Sequence, residues 1–169
     1  MSDLEEIVKF TDKLDVAISF CLPTVTSKTS FKLGGDNDSM DLSKDEMRSV
    51  LKKIILLKKK GYNIVNGFDF LLDMIRYLNK TNKYMCLGGN RLIYVDWNLN
   101  VFPCMCKGEP VSIDDYDFKA LDHCNECMIQ CFREPSMLLL TRRRTAKIML
   151  KETPFLPLMI MKRVKTLMK

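Results

Sequence analysis

The sequence predicts an α/β fold in three parts, and three observations carry it. Helical and strand patterns alternate through residues 1–82; six of the seven cysteines fall between Cys86 and Cys131, around a stretch that reads as a β-hairpin; and the basic charge gathers after Arg142. The expected division is therefore an α/β layer over 1–82, a small cysteine-bearing domain over 83–136 and a basic helical tail over 137–169.

Residues 3–14 place Leu4, Ile7, Val8, Phe10 and Leu14 close to helical spacing. The run VAISFCLP that follows Asp15 is short, apolar and partly β-branched, and predicts a buried strand of a mostly parallel sheet, with Cys21 a small buried hydrophobe on it. Residues 24–42, rich in Ser, Thr, Gly and Asp, predict a long loop, and its GGDNDS at 34–39 has the spacing of neither a calcium loop nor a phosphate cradle. Ser43 with Glu46 forms a capping box, and Met47, Val50, Leu51, Ile54 and Leu57 line one face of the helix that Gly61 ends. A second short strand at 62–66 and a helix at 68–80 complete the order helix, strand, helix, strand, helix. Two parallel strands cannot cover themselves, so this reads as part of a larger α/β unit.

The chain of 169 residues, 47% hydrophobic and 28% charged, has the size and composition of one soluble globular domain with an appendage. The acidic opening MSDLEEIVKF lacks the apolar run of a signal peptide, and no stretch of eighteen apolar residues is present. A cytoplasmic chain is expected, in which clustered cysteines mean metal or redox chemistry and not a disulfide framework. From Arg142 onward nine basic residues face Glu152 alone, a local +8, while eighteen basic and twenty acidic residues leave −2 for the rest.

RLIYVDWNLNVFPC predicts strand, turn, strand, with Cys86 and Cys104 at the two ends of one hairpin, Asp96 a turn residue and Pro103 closing the second strand. CNECMIQC then offers Cys124 and Cys127 in a C-x2-C pair. Two thiolates from a hairpin and two from a tight loop can meet at one point, as a four-coordinate zinc or a cubane iron–sulfur cluster requires. Cys106 and Cys131 are further candidate thiols. Cys127 and Cys131, four apart, are expected on one face of a short helix ended by Pro135, with Ser136 capping the next helix, MLLLTRRRTAKIMLKE. His123 reads as a solvent-facing loop residue. Residues 154–169 predict a second basic helix, whose methionines, with Met149, offer an adaptable contact surface.

VDWNLNVFPC resembles the hairpin of the auxiliary-cluster domains that follow the catalytic barrel in radical S-adenosylmethionine (radical SAM) enzymes. The C-x17-C spacing from Cys86 to Cys104 followed by Cys124-x2-Cys127 is similar to the shorter twitch form of the SPASM domain. The resemblance implies that Cys86, Cys104, Cys124 and Cys127 bind one 4Fe-4S cluster and that 1–82 holds the last strand–helix units of the partial barrel. Where the family has a glycine in the hairpin turn, this chain has WNLN at 97–100, and Cys106 and Cys131 are additional to the pattern.

The SAM-cleaving motif C-x3-C-x2-C is absent; CNECMIQC has the reverse order and follows the hairpin. The resemblance thus implies the C-terminal part of a radical SAM protein, with no catalytic residue of its own, engaging S-adenosylmethionine only when completed by a missing N-terminal half that was either lost or is supplied by a separate chain. A closed cluster with four cysteines passes electrons, whereas one with three keeps an open iron. The alternative is a zinc-stabilised binding module whose basic tail docks an acidic partner or an anionic membrane surface, with no specific nucleic acid expected.

Overall fold

The structure, a computed structural model, describes residues 2–21, 42–104, 108–117, 124–139, 142–155 and 157. Among the described residues it is a mixed α/β chain with five α-helices and one small three-stranded antiparallel sheet. The chain divides into two compact units, one comprising Met1–Phe20, Leu42–Asn82 and Arg142–Lys169, the other Cys21–Asp41 and Lys83–Thr141. The helix beginning at Arg142, expected in a separate tail, belongs to the first unit.

In the first unit, α1 (Ser2–Lys13), α2 (Lys44–Lys59), α3 (Phe68–Leu78) and α5 (Arg142–Glu152) surround a core that includes Val8, Leu51, Ile54, Phe70, Leu71 and Met74. The capping box is formed: Ser43 Oγ accepts from the Glu46 amide, and the Glu46 carboxylate accepts from the Ser43 amide at 2.9 Å. These bonds satisfy amides that helix geometry leaves without partners; the Ser43 hydroxyl, donating to the Glu46 carboxylate at 2.7 Å, and then the Ser43 amide hold that carboxyl below its usual range. At the other end Gly61 adopts φ +87°, a left-handed conformation open to glycine at no steric cost, and the chain reverses there.

The two predicted strands are reduced to a single parallel bridge, Ile18 to Ile64, made by Ile18 N–H to Asn63 O (3.0 Å) and Val65 N–H to Ile18 O (2.9 Å). The parallel sense agrees with the sequence reading; the buried strand does not. Asn66, fully buried, ends the pairing by bonding Phe20 on both sides, its Oδ1 accepting from Phe20 N–H at 2.7 Å and its Nδ2 donating to Phe20 O at 3.0 Å. A side-chain amide thus takes the backbone groups that a longer ladder would use, and Cys21, the next residue, is exposed instead of buried. The apolar stripe of α1 is likewise only partly covered: Val8 is buried, but Ile7, Phe10 and Leu14 are 50%, 61% and 57% exposed.

α5 is fastened to α3 by charged side chains. The N-cap of α3 is Gly67, which has no side chain to offer. Glu152 supplies the missing acceptor, its Oε1 taking the Phe68 N–H at 2.6 Å while its Oε2 pairs with Lys58 at 3.1 Å. Lys58, 5% exposed, also donates to Ile64 O at 2.9 Å and lies 5.1 Å above the Phe68 ring. Lys151 bonds both oxygens of Asp69, at 2.6 and 2.8 Å. The end of α5 is therefore built into the first unit. Of the helix expected to follow Ser136 and run to Glu152, residues 140–141 lie outside the described set, as do residues 158–169 of the second predicted basic helix.

Replacing Glu152 with Ala removes the cap and leaves the buried Lys58 without its carboxylate, a loss of about 2–3 kcal/mol. Glu152→Gln costs less, because its amide oxygen still accepts from Phe68. Ser43→Ala is expected to cost about 1 kcal/mol. The midpoint of urea unfolding reads all three.

Candidate functional site

The second unit is organised by a hairpin. β1 (Tyr94–Val95) pairs antiparallel with β2 (Asn100–Phe102), and β2 with β3 (Val111–Ser112), in registers Tyr94 to Phe102, Val95 to Val101 and Val101 to Val111. Tyr94 and Phe102 share one face, their ring centroids 5.6 Å apart. Asp96 builds the turn: its Oδ1 accepts from the Asn98 and Asn100 amides, each at 2.9 Å, and its Oδ2 from the Asn100 side chain at 3.0 Å. The Asn100 side chain is the main reason its carboxyl is held below the usual carboxylate range, against a smaller opposing effect of burial. Leu99 adopts φ +63°. A left-handed conformation costs a non-glycine residue about 1–2 kcal/mol, and the Asp96 bonds on either side offset it in a turn that lacks glycine.

Pro103 ends β2 and sets Cys104 in place. It is braced by Gly108, whose φ is +89° and where a Cβ would stand 2.6 Å from the Pro103 ring. A small residue is required there for two independent reasons, conformation and space.

The four cysteines singled out by the resemblance lie in or against one apolar cluster. Cys86 and Cys104 are buried with Ile129 and Phe132 in one apolar cluster, and Cys124, Cys127, Leu92 and Tyr94 pack against it. The segments carrying Cys86 and Cys124 are joined directly by an antiparallel bridge, with Cys86 N–H to Cys124 O at 3.0 Å. Gly88 N–H points at Cys86 Sγ at 3.4 Å, and a Cβ on Gly88 would stand 3.4 Å from that sulfur and 3.2 Å from the Phe132 ring. The backbone therefore approaches the sulfur as closely as an N–H···S contact needs. None of the four is in a disulfide.

Behind the thiols runs α4 (Gln130–Leu139), which corrects two expectations. Pro135 does not end a helix but lies inside it, and Ser136 is not a cap. Proline removes one N–H from the ladder. The helix continues because the next residue is held on both sides: Ser136 Oγ donates to Phe132 O and accepts Leu87 N–H at 2.8 Å. Cys127 precedes the helix and Cys131 lies in its first turn, so the two do not share a helical face. Arg133, 1% exposed, donates from Nη1 to Cys124 O (3.2 Å) and Asn125 Oδ1 (2.7 Å) and from Nε to Met128 Sδ (3.2 Å).

Burial pushes the Cys127 thiol above its ordinary pKa; the Ile129 amide and the Arg133 charge pull the other way. Cys131 is also raised, chiefly by burial, with Cys127, Cys21 and Cys86 adding to the effect. Cys21 thus lies within electrostatic reach of Cys131, which the sequence reading missed. No spacing signal could have shown it, because Cys21 stands far from the other cysteines along the chain and only the fold returns it. Cys106, His123 and the loop at 34–39 lie outside the described residues.

Among the described residues, no three His, Cys, Asp or Glu side chains are already spaced as ligands to one ion. The residues of the kind a thiophilic centre uses are Cys86 and Cys104 in the apolar cluster with Cys124 and Cys127 packed against it, Cys86 Sγ accepting a backbone N–H and a buried guanidinium bonded to the carbonyl that joins the Cys86 and Cys124 segments. No helix among the described residues is long and apolar enough to cross a membrane. Comparison with protein-family models, with curated proteins and with solved structures finds no match to this chain.

Two outcomes follow for the hairpin. The Asp96 carboxyl is depressed in the folded chain, so its contribution to the turn is complete above the ordinary aspartate value, about 4, and is lost as pH falls through the lower folded value. The Asn98 and Asn100 amide resonances, followed against pH, should move together below pH ~4 and be insensitive above it. Gly108→Ala should destabilise the second unit by about 1–3 kcal/mol, read as increased hydrogen exchange at Val101 and Phe102.

Proposed function

We propose that this protein binds one 4Fe-4S cluster through Cys86, Cys104, Cys124 and Cys127, as the auxiliary-cluster portion of a radical SAM protein located in the cytoplasm. The observation that carries the reading is the packing of Cys124 and Cys127 against the apolar cluster that holds Cys86 and Cys104, with the Cys86 and Cys124 segments hydrogen-bonded to each other. A bound cluster would supply electron transfer, or a hold on substrate if one iron were left open. The chain's own part is to present the sulfurs, to donate Gly88 N–H to Cys86 Sγ and to keep water away with Ile129, Phe132 and Tyr94. Cys131, at the start of α4, and Cys106 are the candidates for ligand exchange.

The first unit, on this reading, is the last part of a partial barrel, and the rest of the barrel comes from elsewhere, for example from a separate chain carrying C-x3-C-x2-C. The parallel Ile18 to Ile64 bridge and the exposed Ile7 and Phe10 on α1, with Leu14 just after it, support this, since further strand–helix units would extend the one and cover the others. S-adenosylmethionine chemistry belongs to that completed barrel.

Anaerobic reconstitution is the test. It should yield about four irons and four sulfides per chain, with brown absorption near ~400 nm. Cys104→Ser should lower the cluster content, and a product with one zinc and no sulfide would replace this reading with that of a zinc-stabilised module. In the zinc case the surface to examine is the solvent face of α5, where Arg143, Arg144 and Lys147 stand exposed or half-buried.

A further inference from the structure

We infer that Arg133 is the positioning residue of the four-thiol site, holding the loop from Cys124 to Met128 in the shape that presents its sulfurs and placing a positive charge beside the anionic centre they would form. The inference rests on the proposed metal–thiolate site and goes beyond it by assigning a residue that is not a ligand.

The geometry is that of a clamp. The guanidinium reaches the first residue of the loop at Cys124 O, the second at Asn125 Oδ1 and the last at Met128 Sδ. Its own backbone is anchored by the turn of α4 through Arg133 N–H to Ile129 O, at 2.9 Å. Cys124 O also accepts the Cys86 N–H, so a single carbonyl joins both cysteine-bearing segments to the guanidinium. A planar group with donors on several edges can serve three acceptors in different directions at once; a lysine ammonium cannot do so with the same rigidity.

The charge requires a reason as well. Taking a guanidinium out of water costs several kcal/mol, and Arg133 is the largest of the side chains that are almost wholly buried. The bonds to Cys124 O, Asn125 Oδ1 and Met128 Sδ fix the group in place. Four thiolates around a divalent ion or an iron–sulfur cluster carry net negative charge, and a fixed cation beside them lowers the cost of forming the centre and favours its reduced state.

The test uses the full-length chain and Co(II) as probe, titrated anaerobically and read by the absorption of tetrahedral cobalt thiolate. Arg133→Met, which keeps length and apolar volume, should weaken Co(II) binding at least ~10-fold, the lower end of what loss of an outer partner costs a metal site. Arg133→Lys should restore part of the affinity. With iron and sulfide in place of cobalt, the Met variant should have a more negative midpoint potential than the wild type and the Lys variant one close to it, a separation that a purely architectural role would not produce.

Asn125→Ala removes one arm of the clamp and leaves the charge, so it should reduce Co(II) affinity while the potential stays put. If Arg133→Met does not fold, by circular dichroism, unchanged Co(II) affinity in Asn125→Ala overturns the clamp. Wild-type affinity and potential in a folded Arg133→Met overturn the inference outright. A wild-type chain that takes up no Co(II) removes the metal–thiolate site itself, which is a different failure.

Discussion

The carbonyl of Cys124 is the joint on which the second unit turns. It accepts one hydrogen bond from Cys86 N–H and one from Arg133 Nη1, and those two donors come from the segment before the hairpin and from the helix after it. A carbonyl oxygen has two lone pairs, and here both are directed to parts of the chain far apart in sequence. Ser136 makes a second joint of the same kind, receiving Leu87 N–H while donating to Phe132 O. Together they bind the turn at 86–88 to α4, and Phe132 and Ile129, carried by or next to that helix, close the apolar cluster over the sulfurs.

The first unit has a comparable logic in charge. Gly67 begins α3 without a side-chain cap, and Glu152, a residue of a helix near the opposite end of the chain, provides it. The same carboxylate pairs with Lys58, whose ammonium also satisfies Ile64 O, the carbonyl of the bridging residue. One acidic side chain thus secures a helix start, a buried lysine and, through it, the parallel bridge. The basic character of α5 is therefore not all surface charge: Lys151 is committed to Asp69, whereas Arg143, Arg144 and Lys147 are not buried.

The proposed function links the two halves of the sequence argument. The segments that carry Cys86 and Cys124 are held together by a backbone hydrogen bond that does not depend on a metal. Burial keeps Cys127 protonated by preference. The N–H of Gly88 and the charge of Arg133 are the groups placed to stabilise the anionic form.

Much of the local structure was legible in the chain itself, for reasons that are local. A capping box satisfies amides three residues away, so Ser43 and Glu46 mark the start of α2; the hairpin needs only alternation and a turn acid at Asp96; and the cysteine spacing brought four thiols under suspicion together. Length of strand was not legible, because a strand is as long as its neighbours allow, and Asn66 ended the pairing at Phe20 with a side-chain amide. Pro135 was a local stop signal that the Ser136 bonds to Phe132 and Leu87 outweighed. The exposure of Cys21 and its reach to Cys131, the cap from Glu152 and the clamp of Arg133 were decided by tertiary structure alone, since each joins residues whose partnership no sequence interval encodes. Hydrogen bonds and charges act through space, and only the folded chain determines which of them are near.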